Sequence, residues 1–198
     1  AAKSNPERFE EISSALPLYT AKIAVKNSRI AEVGLSYMGG VYNKYQVDGL
    51  QLDNKRRVDV FAIDFNTTLP KLNTFINGEW AWIKVDVPPT FTQQYGSKQK
   101  GGFVDIVQPV IKKKMFGWEQ AVLNLACRLE YVDWNVGAFT STGQNITEDA
   151  WGITPAISFR PNAQTVFRLN YTYLSQQDIL GNAPAITGGF SVGISFYF

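Results

Sequence analysis

Phe190-Ser191-Val192-Gly193-Ile194-Ser195-Phe196-Tyr197-Phe198 ends the chain in strict alternation. In an extended backbone successive side chains point to opposite faces, so Phe190, Val192, Ile194, Phe196 and Phe198 share one face and Ser191, Gly193, Ser195 and Tyr197 the other. One face is wholly apolar up to the last residue, and the other is small and polar apart from a tyrosine. A soluble domain seldom finishes on such a strand, because chain ends are ordinarily polar and frayed.

The same period extends upstream. Thr165, Phe167, Leu169, Tyr171 and Tyr173 alternate with Arg168, Asn170 and Thr172, and Trp151, Ile153, Pro155, Ile157 and Phe159 with Gly152, Thr154, Ala156, Ser158 and Arg160. Leu123, Leu125, Cys127, Leu129 and Tyr131 face away from Asn124, Ala126, Arg128 and Glu130. Ala31, Val33, Leu35 and Tyr37 oppose Glu32, Gly34 and Ser36; Phe61, Ile63 and Phe65 oppose Ala62, Asp64 and Asn66; Ile76, Trp80 and Trp82 oppose Asn77, Glu79 and Ala81. Two weaker segments, 20–26 and 102–112, bring the set to about nine strands, the second with a bulge expected at Pro109, which has no N–H for a ladder. Connections alternate between short (27–29, 69–74, 113–117, 160–164) and long (43–56, 88–100, 132–149, 175–185). Helix is expected only at 6–16, with Asn5 as N-cap, Pro6 in the first turn and Glu7, Glu10 and Glu11 following.

Composition excludes several chemistries. The 198 residues contain no histidine and one cysteine, so there is no imidazole base, no His-containing metal site and no internal disulfide. No enzymatic activity, metal or cofactor is therefore expected. Nineteen basic residues against 17 acidic ones leave a net charge of +2, too balanced to attract nucleic acid over a distance. Lys112-Lys113-Lys114 reads as a solvated turn. No apolar run is long enough for a membrane helix, yet a mean hydropathy of -0.13 suits a membrane β-barrel, whose lipid-facing residues are diluted by alternation.

In lipid every backbone polar group must be paired, so a sheet can span a bilayer only as a closed barrel, apolar side out. The reading is all-β: a transmembrane antiparallel β-barrel. Lys22, Glu32, Asp64, Glu79, Asn124, Arg128, Glu130, Arg168 and Asn170 would line its lumen, their mixed signs implying weak ion selectivity. Phe159, Phe167, Phe196 and Phe198 near the short turns, and Trp82, Tyr131, Trp151, Tyr173 and Phe190 near the long loops, would form the two aromatic girdles of such barrels. The competing reading is a soluble sandwich or lipocalin-like barrel with the aromatics as its core.

Leu129-Glu130-Tyr131-Val132-Asp133-Trp134-Asn135, Phe159-Arg160-Pro161-Asn162 leading into Val166-Phe167-Arg168-Leu169-Asn170-Tyr171, and Gly193-Ile194-Ser195-Phe196-Tyr197-Phe198 together resemble the C-terminal part of Gram-negative outer-membrane porins of the phosphate-selective porin O and P family, Bacteroidetes-type members above all. The resemblance implies a barrel of roughly sixteen strands, of which this chain supplies about nine. It implies passive diffusion of ions and small hydrophilic solutes across the outer membrane of a Gram-negative bacterium. Phe190, Val192, Ile194, Phe196 and Phe198 would form the signal read by the barrel-assembly machinery. The phosphate-selective members carry dense inward Arg and Lys, from which this chain departs.

With Phe198 in the periplasm, as the resemblance implies, counting strands backward makes the segment 1–19 an extracellular loop with a short helix, ahead of C-terminal barrel strands over 20–198. An even-stranded barrel would then need about seven upstream strands, or one more hidden within 1–19 to make ten. The expected partners are outer-membrane lipid, the assembly machinery and other protein chains completing or surrounding the barrel. The alternative function is a small plugged structural or adhesive barrel that binds partners through its long extracellular loops.

Overall fold

The computed structural model of the chain describes residues 16–27, 31–43, 45–47, 49–88, 90 and 96–196. The chain is all-β, with no helix among the described residues; the helix expected at 6–16 apart from Leu16, the segment 1–15, and Tyr197 and Phe198 lie outside them. The described residues form eleven strands: β1 (Tyr19–Asn27), β2 (Ala31–Val41), β3 (Gln46–Val47), β4 (Leu50–Gln51), β5 (Arg57–Leu69), β6 (Thr74–Val85), β7 (Lys98–Lys112), β8 (Val122–Asp133), β9 (Asp149–Arg160), β10 (Thr165–Gln176) and β11 (Ala185–Phe196). Nine of them make one antiparallel sheet in the order β1-β2-β5-β6-β7-β8-β9-β10-β11, while β3 and β4 form a small hairpin in the connection between β2 and β5. The sheet is open. β1 and β11 are its edges, do not pair with each other, and are exposed along their whole length.

Every main-sheet strand pairs with its neighbour in sequence, so the register alone sorts the side chains into two faces. One face carries Val33, Phe65, Leu129, Ile153 and Tyr173 in a single row, and Leu35, Ile63, Trp80, Tyr131 and Trp151 in the next. The opposite face holds Asp64, Glu79, Asp105, Arg128, Thr154 and Asn170. The sheet curls toward this polar face, which borders an open hollow of ≈ 1230 Å³ lined by Asn77, Asp105, Arg128, Thr154 and Arg168 from five strands.

Two prolines mark the irregularities. At Pro109 the β7–β8 register shifts before Ile111, the bulge that a missing N–H produces. Opposite Pro155 the β9–β10 ladder breaks between the Asn170–Ala156 and Tyr173–Ile153 pairs, and a Thr154–Thr172 hydroxyl hydrogen bond of 3.3 Å spans the gap.

Nothing in the described residues resembles the core of a soluble domain. No large side chain is fully buried, and the buried apolar residues are Tyr45, Ala62, Ala121, Ala150 and Val166. Trp82 is 45% exposed, Leu125 48% and Phe190 77%. The rings of the apolar face instead pack along the surface of the sheet. Trp80 stacks on Tyr131 at 6.1 Å between centroids and meets Trp82 at 6.3 Å; Phe61 lies 5.8 Å from Trp82, and Trp151 lies 5.4 Å from Tyr173. Near the short turns Phe159 contacts Phe167 at 6.4 Å and Phe116 at 5.8 Å. From Trp151 to Phe159 is eight steps along β9, roughly 26 Å of strand. Phe190 does not join the long-loop group as expected: its register partner is Tyr171, whose ring lies 4.8 Å away, and that pair sits midway between the two belts.

Gly102 lies between Trp80 and Tyr131 in register, and the absence of a side chain there lets the two rings close over the strand. A Cβ at Gly102 would overlap the Glu79 carbonyl oxygen and lie 2.8 Å from Trp80 Cε3. Gly102→Val is predicted to lower stability by about 1–3 kcal/mol through overpacking, read from thermal unfolding by circular dichroism.

Candidate polar lining of the concave face

All nine residues expected to line a lumen (Lys22, Glu32, Asp64, Glu79, Asn124, Arg128, Glu130, Arg168 and Asn170) fall on the concave polar face by register. Their groupings follow from the ladder. Asp64, Glu79, Phe103, Glu130 and Gly152 lie side by side in one row, and Glu32, Asn66, Asn77, Asp105, Arg128 and Thr154 form the next row toward the short turns.

Three ion pairs organise these rows. Arg128 grips Asp105 with both ends of its fork, Nε at 2.7 Å and Nη2 at 2.6 Å, while its guanidinium lies 4.4 Å from the Phe103 ring centroid. Lys22 donates to Asp64 at 2.9 Å, and Lys26 pairs with Glu32 at 3.6 Å. Asp64 and Glu79 are direct cross-strand neighbours of like charge, an unfavourable contact that the Lys22 ammonium relieves on the Asp64 side. Gly34 makes room for that ammonium: a Cβ there would lie 2.5 Å from Asp64 Oδ2 and 2.8 Å from Lys22 Cε. The Glu130 side chain similarly lies over Gly152, where a Cβ would come within 2.8 Å of Oε1.

The partner of Arg128 is Asp105, a residue outside the nine. Glu79 and Glu130 form no ion pair among the described residues; they flank Phe103, two strands apart. Asn124 is buried and donates to the Ser158 hydroxyl at 3.1 Å. Arg168, whose register partner is also Ser158, forms no ion pair among the described residues. Below it Lys112 and Arg160 flank Val122 on the same face, and both border the hollow with Arg168.

The charges therefore separate by level. Glu79 and Glu130, within electrostatic reach of Lys22 and Arg128 but in no ion pair among the described residues, sit toward the long loops, and the cations Lys112, Arg160 and Arg168 sit toward the short turns with no carboxylate in their rows. From Glu130 to Asn124 is six steps, roughly 20 Å along β8. That is beyond the ~8 Å over which physiological salt lets charges act on one another, so the two groups do not cancel.

The long connection between β2 and β5 is held by its own network. Asn43 accepts from the Arg56 backbone N–H at 2.8 Å and donates to Asp53 at 3.3 Å, and Lys55 lies over the Tyr45 ring at 5.1 Å. The Arg56 side chain, at 2.9 and 3.0 Å, holds the Asp53 carboxyl below the ordinary carboxylate range, with the Asn54 backbone N–H adding to the effect. In the β10–β11 connection, hydrogen bonds from the Asn182 side chain and backbone lower Asp178 in the same way.

Phe190, Val192, Ile194 and Phe196 share the apolar face of β11, and Phe198 lies outside the described residues. No family model, no curated protein and no solved structure matches the chain.

The Arg128–Asp105 bond makes a quantitative prediction. A double-mutant cycle between Arg128→Gln and Asp105→Asn should give a coupling of about 1 kcal/mol that shrinks as salt is raised, and the cycle between Arg128→Gln and Glu130→Gln a smaller one. Chemical denaturation of the four proteins of each cycle measures it.

Proposed function

We propose that this sheet is part of an outer-membrane β-barrel, apolar face to lipid and polar face to a water-filled lumen, that passes ions and small hydrophilic solutes passively. The observation that carries this reading is the pairing of one continuous apolar face, large side chains exposed and aromatic rings gathered near both ends, with an opposite concave face of paired charges and amides. Tilted by about 40°, the roughly 26 Å of strand between the two belts spans about 20 Å, near the height of the apolar band of such barrels. In water that face would be a severe aggregation liability, and in lipid it is the solvated one.

Closure follows from parity. β1 and β11 run in the same direction because the sheet has nine antiparallel strands, so joining them to each other would make a parallel seam. An odd number of further strands restores an antiparallel barrel, about seven in the sixteen-stranded pattern of the porins that the chain resembles. On that reading the long connections are extracellular, the short turns are periplasmic, and the terminal apolar residues from Phe190 to Phe198 serve recognition by the assembly machinery.

The test is planar-bilayer recording of the complete protein. It should conduct, and replacing Lys112, Arg160 and Arg168 together by Gln should move the reversal potential in a salt gradient toward cations. Arg128→Gln, which removes a cation already bound by Asp105, should move it less. Absence of current would contradict the channel and favour a plugged barrel acting through its loops.

A further inference from the structure

Above the long-loop aromatic belt, on the outward apolar face, Lys84 and Lys98 are direct register partners on β6 and β7. Ammonium groups facing each other across a ladder repel, and their Cβ atoms stand only about 5 Å apart. Among the described residues neither side chain makes a hydrogen bond or ion pair. The neighbouring carboxylates spend their hydrogen bonds elsewhere: Asp59, beside Lys84 in register and within its electrostatic reach, accepts from the Tyr37 hydroxyl at 2.7 Å and from Arg57 at 3.3 Å, and Asp133 pairs with Lys100 at 3.7 Å. The two lysines line a surface hollow of ≈ 340 Å³ together with Asp59, Lys100 and the aromatic residues Tyr37, Phe61 and Trp82, which lie one row below them, so that lysines outnumber carboxylates in the lining three to one.

We propose that this hollow binds one lipid of the leaflet at the long-loop rim, its phosphomonoester head group held between Lys84 and Lys98 and an acyl chain lying over Phe61 and Trp82. The assignment rests on the membrane reading of the sheet. A phosphomonoester near neutral pH carries close to two negative charges and three acceptor oxygens, which matches two ammoniums of three donors each, neither of them hydrogen-bonded among the described residues. The aromatic floor below the charges repeats the order of a lipid, polar head above apolar chain. A free phosphate would satisfy the lysines and leave Phe61 and Trp82 uncovered.

Native mass spectrometry of the detergent-purified protein, offered phosphatidic acid and phosphatidylcholine, tests this. Phosphatidic acid should be retained in preference, and inorganic phosphate at equal concentration should not displace it. Lys84→Gln with Lys98→Gln should lose the preference, and Lys84→Arg with Lys98→Arg should keep it. The site is overturned if the double Gln variant retains phosphatidic acid as the unaltered protein does, if both lipids are held alike, or if inorganic phosphate displaces the lipid. A protein that stays dispersed without detergent and retains neither lipid would overturn the membrane reading, and this site with it.

Discussion

The antiparallel ladder from β1 to β11 is the constraint on which the other features rest. Outside the interruptions at Pro109 and Pro155, hydrogen bonding within it pairs the backbone of the interior strands, so the side chains are free to make the two faces as different as lipid and water. Because the period is two, the register that joins Asp64 to Glu79 and Glu79 to Phe103 also fixes Ile63 against Trp80 on the other side. A slip of β8 by one residue would bring Arg128 among the aromatic rings and Leu129 into the hollow. The prolines at 109 and 155 are tolerated because a bulge absorbs one and a threonine pair spans the other.

The polar face is built by compensation at close range and by separation at long range. Lys22, Lys26 and Arg128 each hold a carboxylate, so the middle rows bring many charges together without strong net repulsion. The remaining charges are divided by sign along the strands, carboxylates toward the long loops and cations toward the short turns. In a lumen, a permeating ion would meet these as successive fields, since salt screens each from the other.

Much of the fold was legible because alternation of large apolar residues with polar ones is a strong signal over 12-residue strands such as β8, β9 and β10. β7 was harder. Its polar-face row mixes Phe103, Asp105, Val107 and Pro109 while the opposite face carries Gly102 and Gln108, so neither face reads cleanly. That ambiguity hid Asp105, and with it the partner of Arg128. Periodicity places the nine residues expected to line a lumen on one face, as the register does, but their rows depend on the offset between strands, which the bulge and turns set and no single segment contains. For the same reason the level of Phe190, beside Tyr171, and the facing of Lys84 and Lys98 follow only from the pairing of their strands.

The account turns on the two faces meeting different solvents, and a nitroxide scan along β8 measures that directly. Single cysteines from Leu123 to Tyr131, with Cys127 replaced elsewhere in the scan, are labelled in the protein reconstituted into bilayers and relaxed by oxygen or by a water-soluble nickel chelate. The account predicts a period of two: Leu123, Leu125, Cys127, Leu129 and Tyr131 relaxed by oxygen and shielded from nickel, and Asn124, Ala126, Arg128 and Glu130 the reverse. Nickel access without alternation, or shielding on the polar face instead of the apolar one, would contradict it.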